Sequence, residues 1–176
     1  PRPSTSYVAL LTDFVEPDLR AQPGVLAPGQ PMRVAMLRTV GTIGQGFSDV
    51  FLRDLRFNGK SVTDNGPQFR QLVTTEARDH DGTDDSRLAA ELLAFSPHVA
   101  LLLGGGDDLI AELEKIWPAS APFRPRYIGG NATISASLAL ALRARPGLGA
   151  RVFRTDVRPN EAIAKFVVRY NELYTP

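Results

Sequence analysis

Val99-Ala-Leu-Leu-Leu103 is a run of five apolar residues that leads directly into Gly104-Gly105-Gly106 and then Asp107-Asp108. A continuous apolar run of this length predicts a strand in a sheet that is covered on both faces. The glycines allow a tight turn, and either aspartate can start the helix that follows. The stretch therefore predicts a buried parallel strand that passes through a glycine turn into a helix.

The rest of the chain repeats this alternation of short strands and amphipathic helices, which is typical of βαβ units. Strands are predicted at residues 33–38, 68–75, 99–103, 126–128 and 151–154, after a first helix over residues 4–19. A helix over residues 45–57 is predicted to end at Asn58-Gly59 as its C-cap, and a last helix follows Pro159 to about Tyr174. We predict one α/β domain over residues 1–176, a Rossmann-like three-layer αβα sandwich with a mostly parallel five-stranded sheet.

The composition of the chain argues against several classes of function. The chain has 20 basic and 19 acidic side chains and a net charge of +1, so its charge gives no reason to expect nucleic acid as a partner. It has no cysteine, which excludes disulfides and thiolate metal sites, and no apolar run long enough for direct membrane insertion. The sequence begins at Pro1 without an initiator methionine, and we interpret it as a fragment or a processed product.

Glycines follow the first, third and fourth predicted strands, and in an open parallel sheet these carboxyl ends form the ligand crevice. Glycine lets the backbone approach a ligand, and the helix N-termini at this edge offer free N–H donors. The order Gly41-x-x-Gly44-x-Gly46 does not match the G-x-G-x-x-G fingerprint, and no P-loop motif is present. We therefore predict a small-ligand site that uses no nucleotide or other cofactor.

Catalysis and metal binding have weaker support in the sequence. The acidic run over residues 79–85 lacks the glutamate of a calcium loop, and a solvated loop that caps a helix explains it better. There is no G-x-S-x-G motif, and we predict a surface or capping role for His98. Asp107 and Asp108 lie at the correct end of the sheet for a site, but capping of a helix start explains them better. We predict neither an enzyme nor a metal site.

Several segments share their order and spacing with a known family. Arg2-Pro3-Ser4 precedes the first helix, and residues 33–37 with Ile43-Gly44-Gln45-Gly46-Phe47 give a strand and its turn. Residues 96–102 and 126–130 give two further strands, and residues 166–174 close with the pattern F-x-x-x-Y-x-x-x-Y. Together they resemble the second lobe of a type I periplasmic solute-binding protein of the branched-chain amino-acid receptor kind.

The resemblance implies that this chain is one ligand-binding lobe of a two-lobed receptor whose partner lobe lies outside it. A small polar ligand would bind in the cleft between the lobes and be held by hinge closure without a covalent step. The implied partners are the permease of an ABC transporter or a sensor subunit. The implied location is periplasmic or extracytoplasmic, with or without a lipid anchor on the full-length parent.

In this family the lobe holds its ligand through an aromatic residue in the first turn, a residue after the third strand and an acid after the fourth. The matching positions are Ile43, Gly106 and Asn131, and all three depart from the amino-acid-binding pattern. An asparagine cannot neutralise an ammonium, and Ile43 offers no aromatic face. These departures leave open a degenerate lobe that serves as a protein-interaction or regulatory module. If the lobe binds a ligand, the candidate contacts are Thr39, Thr42, Ile43, Gly105, Gly106, Asp107 and Asn131.

Overall fold

The computed structural model of the protein describes residues 7–40, 49, 51–75, 83–103, 106–129 and 135–154. Its strands are, in chain order, β1 (Val34–Val40), β2 (Arg56–Phe57), β3 (Lys60–Ser61), β4 (Phe69–Thr75), β5 (Val99–Leu103), β6 (Arg126–Gly129) and β7 (Val152–Arg154). Five of them form the main sheet in the order β4-β1-β5-β6-β7, and every neighbouring pair is parallel. The predicted α/β fold with a five-stranded sheet is confirmed.

Four longer helices among the described residues flank this sheet. The first, α1, covers residues 7–21 and contains a π-helical segment, Leu10–Val15, before its last turns, Glu16–Ala21. The others follow β4, β5 and β6 and are α2 (Thr83–Phe95), α3 (Asp107–Ile116) and α4 (Ala136–Ala144). The sequence predicts α2 up to about Phe95 and α4 over about residues 133–143, so each of the four helices lies where one is predicted. The reason is that apolar residues recur at helical spacing and polar residues stand at the start of each.

The central strands of the sheet are buried on both faces. In β1, Val34 and Met36 pack with the apolar side of α1, whereas Ala35 and Leu37 pack with α2, α3 and α4. All five residues of β5, the middle strand, are buried. Because side chains alternate between the faces of a strand, burial on both faces requires the continuous apolar runs that the sequence shows.

The segment after Leu55 corrects one prediction. Arg56–Phe57 and Lys60–Ser61 pair as an antiparallel hairpin, so the helix predicted to reach residue 57 is wrong at its end. Asn58 and Gly59 have φ angles of 53° and 69° and form the hairpin turn instead of a helix C-cap. Asparagine followed by glycine is the preferred pair for a two-residue turn in which both central residues have positive φ.

His98 lies at the amino-terminal edge of the sheet, and of its two predicted roles, surface or capping, the structure supports capping. Its side chain is 0% exposed, so the predicted surface role is wrong. Its Nδ1 accepts a hydrogen bond from the backbone N–H of Arg33 at 3.0 Å, just before β1 begins. Its ring stacks on Phe123 with centroids 4.3 Å apart. The histidine thus caps a neighbouring strand from a buried position.

Glu114, near the end of α3, forms a buried charge network at the same edge. Its carboxylate accepts hydrogen bonds from Arg151 at 2.8 and 2.9 Å, from Arg124 at 3.1 Å and from the Tyr127 hydroxyl at 2.7 Å. Burial raises the pKa of Glu114, but the hydrogen bonds from Arg151 and Tyr127 outweigh it and hold that pKa below its ordinary value. The network fixes the segments that enter β6 and β7.

Ile116 differs from its prediction, and two predicted segments lie outside the described residues. Helical spacing from Leu109 and Leu113 predicts Ile116 on the buried face of α3, but Ile116 is the last residue of the helix and is 42% exposed. The last predicted helix, after Pro159, and residues 79–82 of the acidic run lie outside the described residues. No helix in the described part of the chain is long and apolar enough to cross a membrane.

Candidate functional site

The strand order defines where a ligand crevice lies. From β1 the chain crosses to β4 on one side and then returns to β5 on the other side of β1, before continuing outward to β6 and β7. The direction of winding therefore reverses between β1 and β5. In open α/β sheets, ligands bind outside the carboxyl ends of the strands at this switch point.

Three of the seven candidate contact residues lie in the described part of this edge. Thr39 is the penultimate residue of β1, and Gly106 and Asp107 follow β5 at the start of α3. Thr42, Ile43, Gly105 and Asn131 lie outside the described residues. The described portion places Thr39 on one side of the switch point and Gly106 with Asp107 on the other.

Gly106 has a backbone conformation that requires glycine. Its φ is 142°, and a Cβ added there would lie 3.1 Å from the Cβ of Leu102. A side chain at this position would be strained by its backbone and crowded by the preceding strand. The glycine after β5 therefore permits a close return of the chain over the strand end.

Asp107 is joined to two other turns at this edge. Its Oδ2 accepts a hydrogen bond from the backbone N–H of Ser135 at 2.8 Å, and its Oδ1 pairs with the guanidinium of Arg154. Ser135 precedes α4, and Arg154 is the last residue of β7. The carboxylate therefore connects the chain after β5, before α4 and at the end of β7.

Asp108 joins the first turns of α3 and α4. Its Oδ1 accepts hydrogen bonds from the hydroxyls of Ser135, at 3.1 Å, and Ser137. The Ser135 hydroxyl also accepts from the Leu138 N–H at 3.2 Å and so caps α4. The predicted capping of α3 by Asp107 or Asp108 is wrong, because the N-cap of α3 is Gly106 and no side chain forms a hydrogen bond there. The two carboxylates contact Ser135, Ser137 and Arg154 instead, which sequence reasoning did not identify.

The remaining described carboxylates near this edge also have partners within the chain. Nη1 of Arg38 in β1 lies 3.6 Å from Oδ1 of Asp49. Oδ1 of Asp84, in the first turn of α2, lies 3.3 Å from Nη2 of Arg87. Asp85 is buried and also interacts within the chain. An incoming ammonium group would therefore compete with an existing partner at each of these carboxylates.

Neither metal-ligating side chains nor surface grooves mark a second site among the described residues. Within them, no three or more histidine, aspartate or glutamate side chains are grouped to hold a metal ion. Open grooves of about 450, 730 and 460 Å³ surround Arg20 near the segments that enter β1 and β4. They lie at the amino-terminal edge, opposite the switch point, so we place the candidate site by strand topology instead.

Comparison with known proteins gives a likeness to a solved structure. No protein-family model and no curated protein matches the sequence. Among solved structures, the chain matches LivK, a leucine-binding protein from Thermotoga maritima, with a TM-score of 0.53 and 17% sequence identity. The match covers 98% of this chain and 42% of LivK, so this chain spans less than half the length of that protein.

This likeness shows the fold. The parallel sheet with helices on both faces is the architecture of a lobe of a type I periplasmic binding protein, as the sequence resemblance predicts. LivK is a binding protein, and leucine is its named ligand.

Proposed function

We propose that this chain is the second lobe of an extracytoplasmic solute-binding receptor and holds a small polar ligand in a cleft against a partner lobe. The observation that carries the proposal is the switch point between β1 and β5 in a fold that matches a binding protein over 98% of this chain. Binding would proceed by closure of two lobes, without covalent chemistry and without a cofactor. The receptor would serve a transporter permease or a sensor subunit.

The proposed ligand contacts come from the turns around the switch point. They are Thr39, Thr42, Ile43, Gly105, Gly106, Asp107 and Asn131. Backbone groups and small polar side chains dominate this set, which favours hydrogen bonds to a polar ligand over stacking on an aromatic ring. Asn131 stands where branched-chain amino-acid receptors carry the acid that pairs with the ligand ammonium, so we expect a ligand that is not anchored by an ammonium.

A binding screen with a designed variant tests this function. The protein that carries this lobe and its partner lobe is screened by thermal shift against amino acids, carboxylates, sugars and amides, with L-leucine and 4-methylpentanoate as a pair that differs in the ammonium. We expect stabilisation by at least one class. For a tenfold excess of ligand over its Kd, the expected stabilisation is about 1.4 kcal/mol.

Asn131→Asp supplies the matched variant. A carboxylate at this position is expected to increase affinity for L-leucine relative to 4-methylpentanoate, because only L-leucine carries an ammonium. If no class stabilises the protein and the lobe instead binds a protein through an empty cleft, the interaction-module alternative replaces this proposal.

A further inference from the structure

The carboxylate of Asp107 connects three separate parts of the candidate cleft wall. We infer that Asp107 is a positioning residue, which holds the turn after β5, the start of α4 and the end of β7 in one arrangement before a ligand arrives. The inference deepens the proposed function and rests on it, because the arrangement matters as a wall of the ligand cleft. The carboxylate of Asp107 would then act on the ligand through the turns it holds, and any direct ligand contact of Asp107 would come from its backbone.

Both carboxylate oxygens of Asp107 are already engaged. Oδ2 accepts from the Ser135 N–H at 2.8 Å, and Oδ1 pairs with Arg154. The side chains of Asp107 and Arg154 are each only 18% exposed. Hydrogen bonds to a charged group that is largely shielded from water are stronger than those of an exposed pair, so the arrangement should persist without a ligand.

The neighbouring contacts show what this arrangement fixes. Gly106, directly before Asp107, takes its positive φ above Leu102, and its carbonyl accepts the Ile110 N–H at 2.9 Å. Asp108 adds a second connection from α3 to Ser135. The first turns of α3 and α4 are therefore tied side by side, and their backbone groups at the crevice are held in place.

Two substitutions at one position separate the two connections. Asp107→Asn keeps a side-chain oxygen that can accept from Ser135 but removes the charge that pairs with Arg154. Asp107→Ala removes both. Asp54→Ala is the control, because Asp54 is an exposed carboxylate on another part of the chain that pairs only with its neighbour Arg53 among the described contacts.

Amide hydrogen exchange of the ligand-free protein is the decisive measurement. We expect Asp107→Ala to speed exchange at the Ser135 amide at least about tenfold, with a smaller change in Asp107→Asn and none in Asp54→Ala. The Leu101 amide in β5 reports global opening and should stay slow, which distinguishes a local loss of positioning from general destabilisation. Equal exchange at Ser135 in wild type and Asp107→Ala would overturn the inference.

A double-substitution cycle checks the connection to β7. If Asp107 and Arg154 act as a pair, the fall in melting temperature of Asp107→Asn with Arg154→Gln should be smaller than the sum of the two single falls. Additive falls would show that the ion pair does not hold the wall. Neither measurement uses a ligand, so a screen without any stabilising compound would count against the proposed function and leave this result standing.

Discussion

His98 joins three strands from a position without access to water. Its side-chain Nδ1 accepts a hydrogen bond from the backbone N–H of Arg33. Its backbone N–H donates to the Arg33 carbonyl at 2.9 Å, and its backbone carbonyl accepts from the Arg126 N–H at 2.8 Å. Nε2 is buried and has no partner among the described residues. Burial, followed by the charges of Arg33 and Arg20, lowers the pKa of His98 from 6.5 to about 4.

This buried histidine predicts acid sensitivity. The pKa of His98 is lower in the folded state than in the unfolded state, so the unfolded chain binds the proton more readily. The contribution to stability is complete above pH 6.5 and is lost as the pH falls towards 4. The loss is on the order of 3 kcal/mol in the free energy of unfolding. Urea unfolding at several pH values between 7.5 and 4 measures it.

His98→Asn is the matched variant for that series. An asparagine can still accept from the Arg33 N–H, but it cannot stack on Phe123, so the variant should be less stable at pH 7.5. Because asparagine does not titrate, the variant should lose less stability on acidification. Because carboxylates titrate in both proteins, the informative quantity is the difference between them. A difference that stays constant from pH 7.5 to 4 would contradict the assignment.

At the scale of elements, the β2–β3 hairpin is held by its turn more than by its strands. Each strand has two residues, but Asn58 accepts from the Met32 N–H at 2.8 Å and donates to the Asn65 side chain at 2.8 Å. The Asn58 N–H donates to both carboxylate oxygens of Glu16 in α1, at 3.1 Å. The turn thus joins the hairpin to α1 and to the segment before β1.

Gly59→Ala tests the turn. A Cβ at Gly59 would meet nothing within 4 Å, so any loss must come from the φ of 69° that an alanine tolerates poorly. We expect a loss of about 1 kcal/mol in the free energy of unfolding, measured by urea denaturation. Gly149→Ala is the control, since its Cβ would make only an ordinary contact of 3.9 Å with Leu142. Equal effects of the two substitutions would refute this explanation.

The elements that the sequence predicts correctly are those with a strong periodic signal. β5 is found at residues 99–103 as predicted, because five buried residues in succession leave few alternatives. The hairpin was missed because two-residue strands carry no measurable alternation. Asn58-Gly59 also suits a helix C-cap, and only the backbone path after Leu55 distinguishes the two uses.

At the scale of the whole molecule, the sequence locates the edge that carries the candidate site but not the contacts within it. Glycine turns after three of the predicted strands predict that edge, since all strands of a parallel sheet end there. Ser135 and Arg154 are 28 and 47 residues from Asp107, and neither carries a local signal that pairs it with an aspartate. Contacts between separate turns depend on strand order, which the sequence pattern leaves open.

The proposed partner lobe would supply the second wall of the ligand cleft. A small-molecule cleft covers most of its ligand's surface, and an open sheet edge offers one wall of it. Under the proposed function, this chain supplies one of the two walls of that cleft. We therefore expect this chain alone to bind the compound that gives the largest thermal shift at least about a hundredfold more weakly than the two-lobed protein.

Isothermal titration of both proteins with the same compound measures that ratio, and small-angle scattering of the two-lobed protein supplies the second readout. Closure on the ligand should reduce its radius of gyration, whereas the single lobe should keep its dimensions. The Asn131→Asp variant of each protein is the internal control, because its effect on L-leucine affinity should appear only where both walls are present. Equal affinity in the two proteins would show that this lobe binds without a partner and that closure is not part of its mechanism.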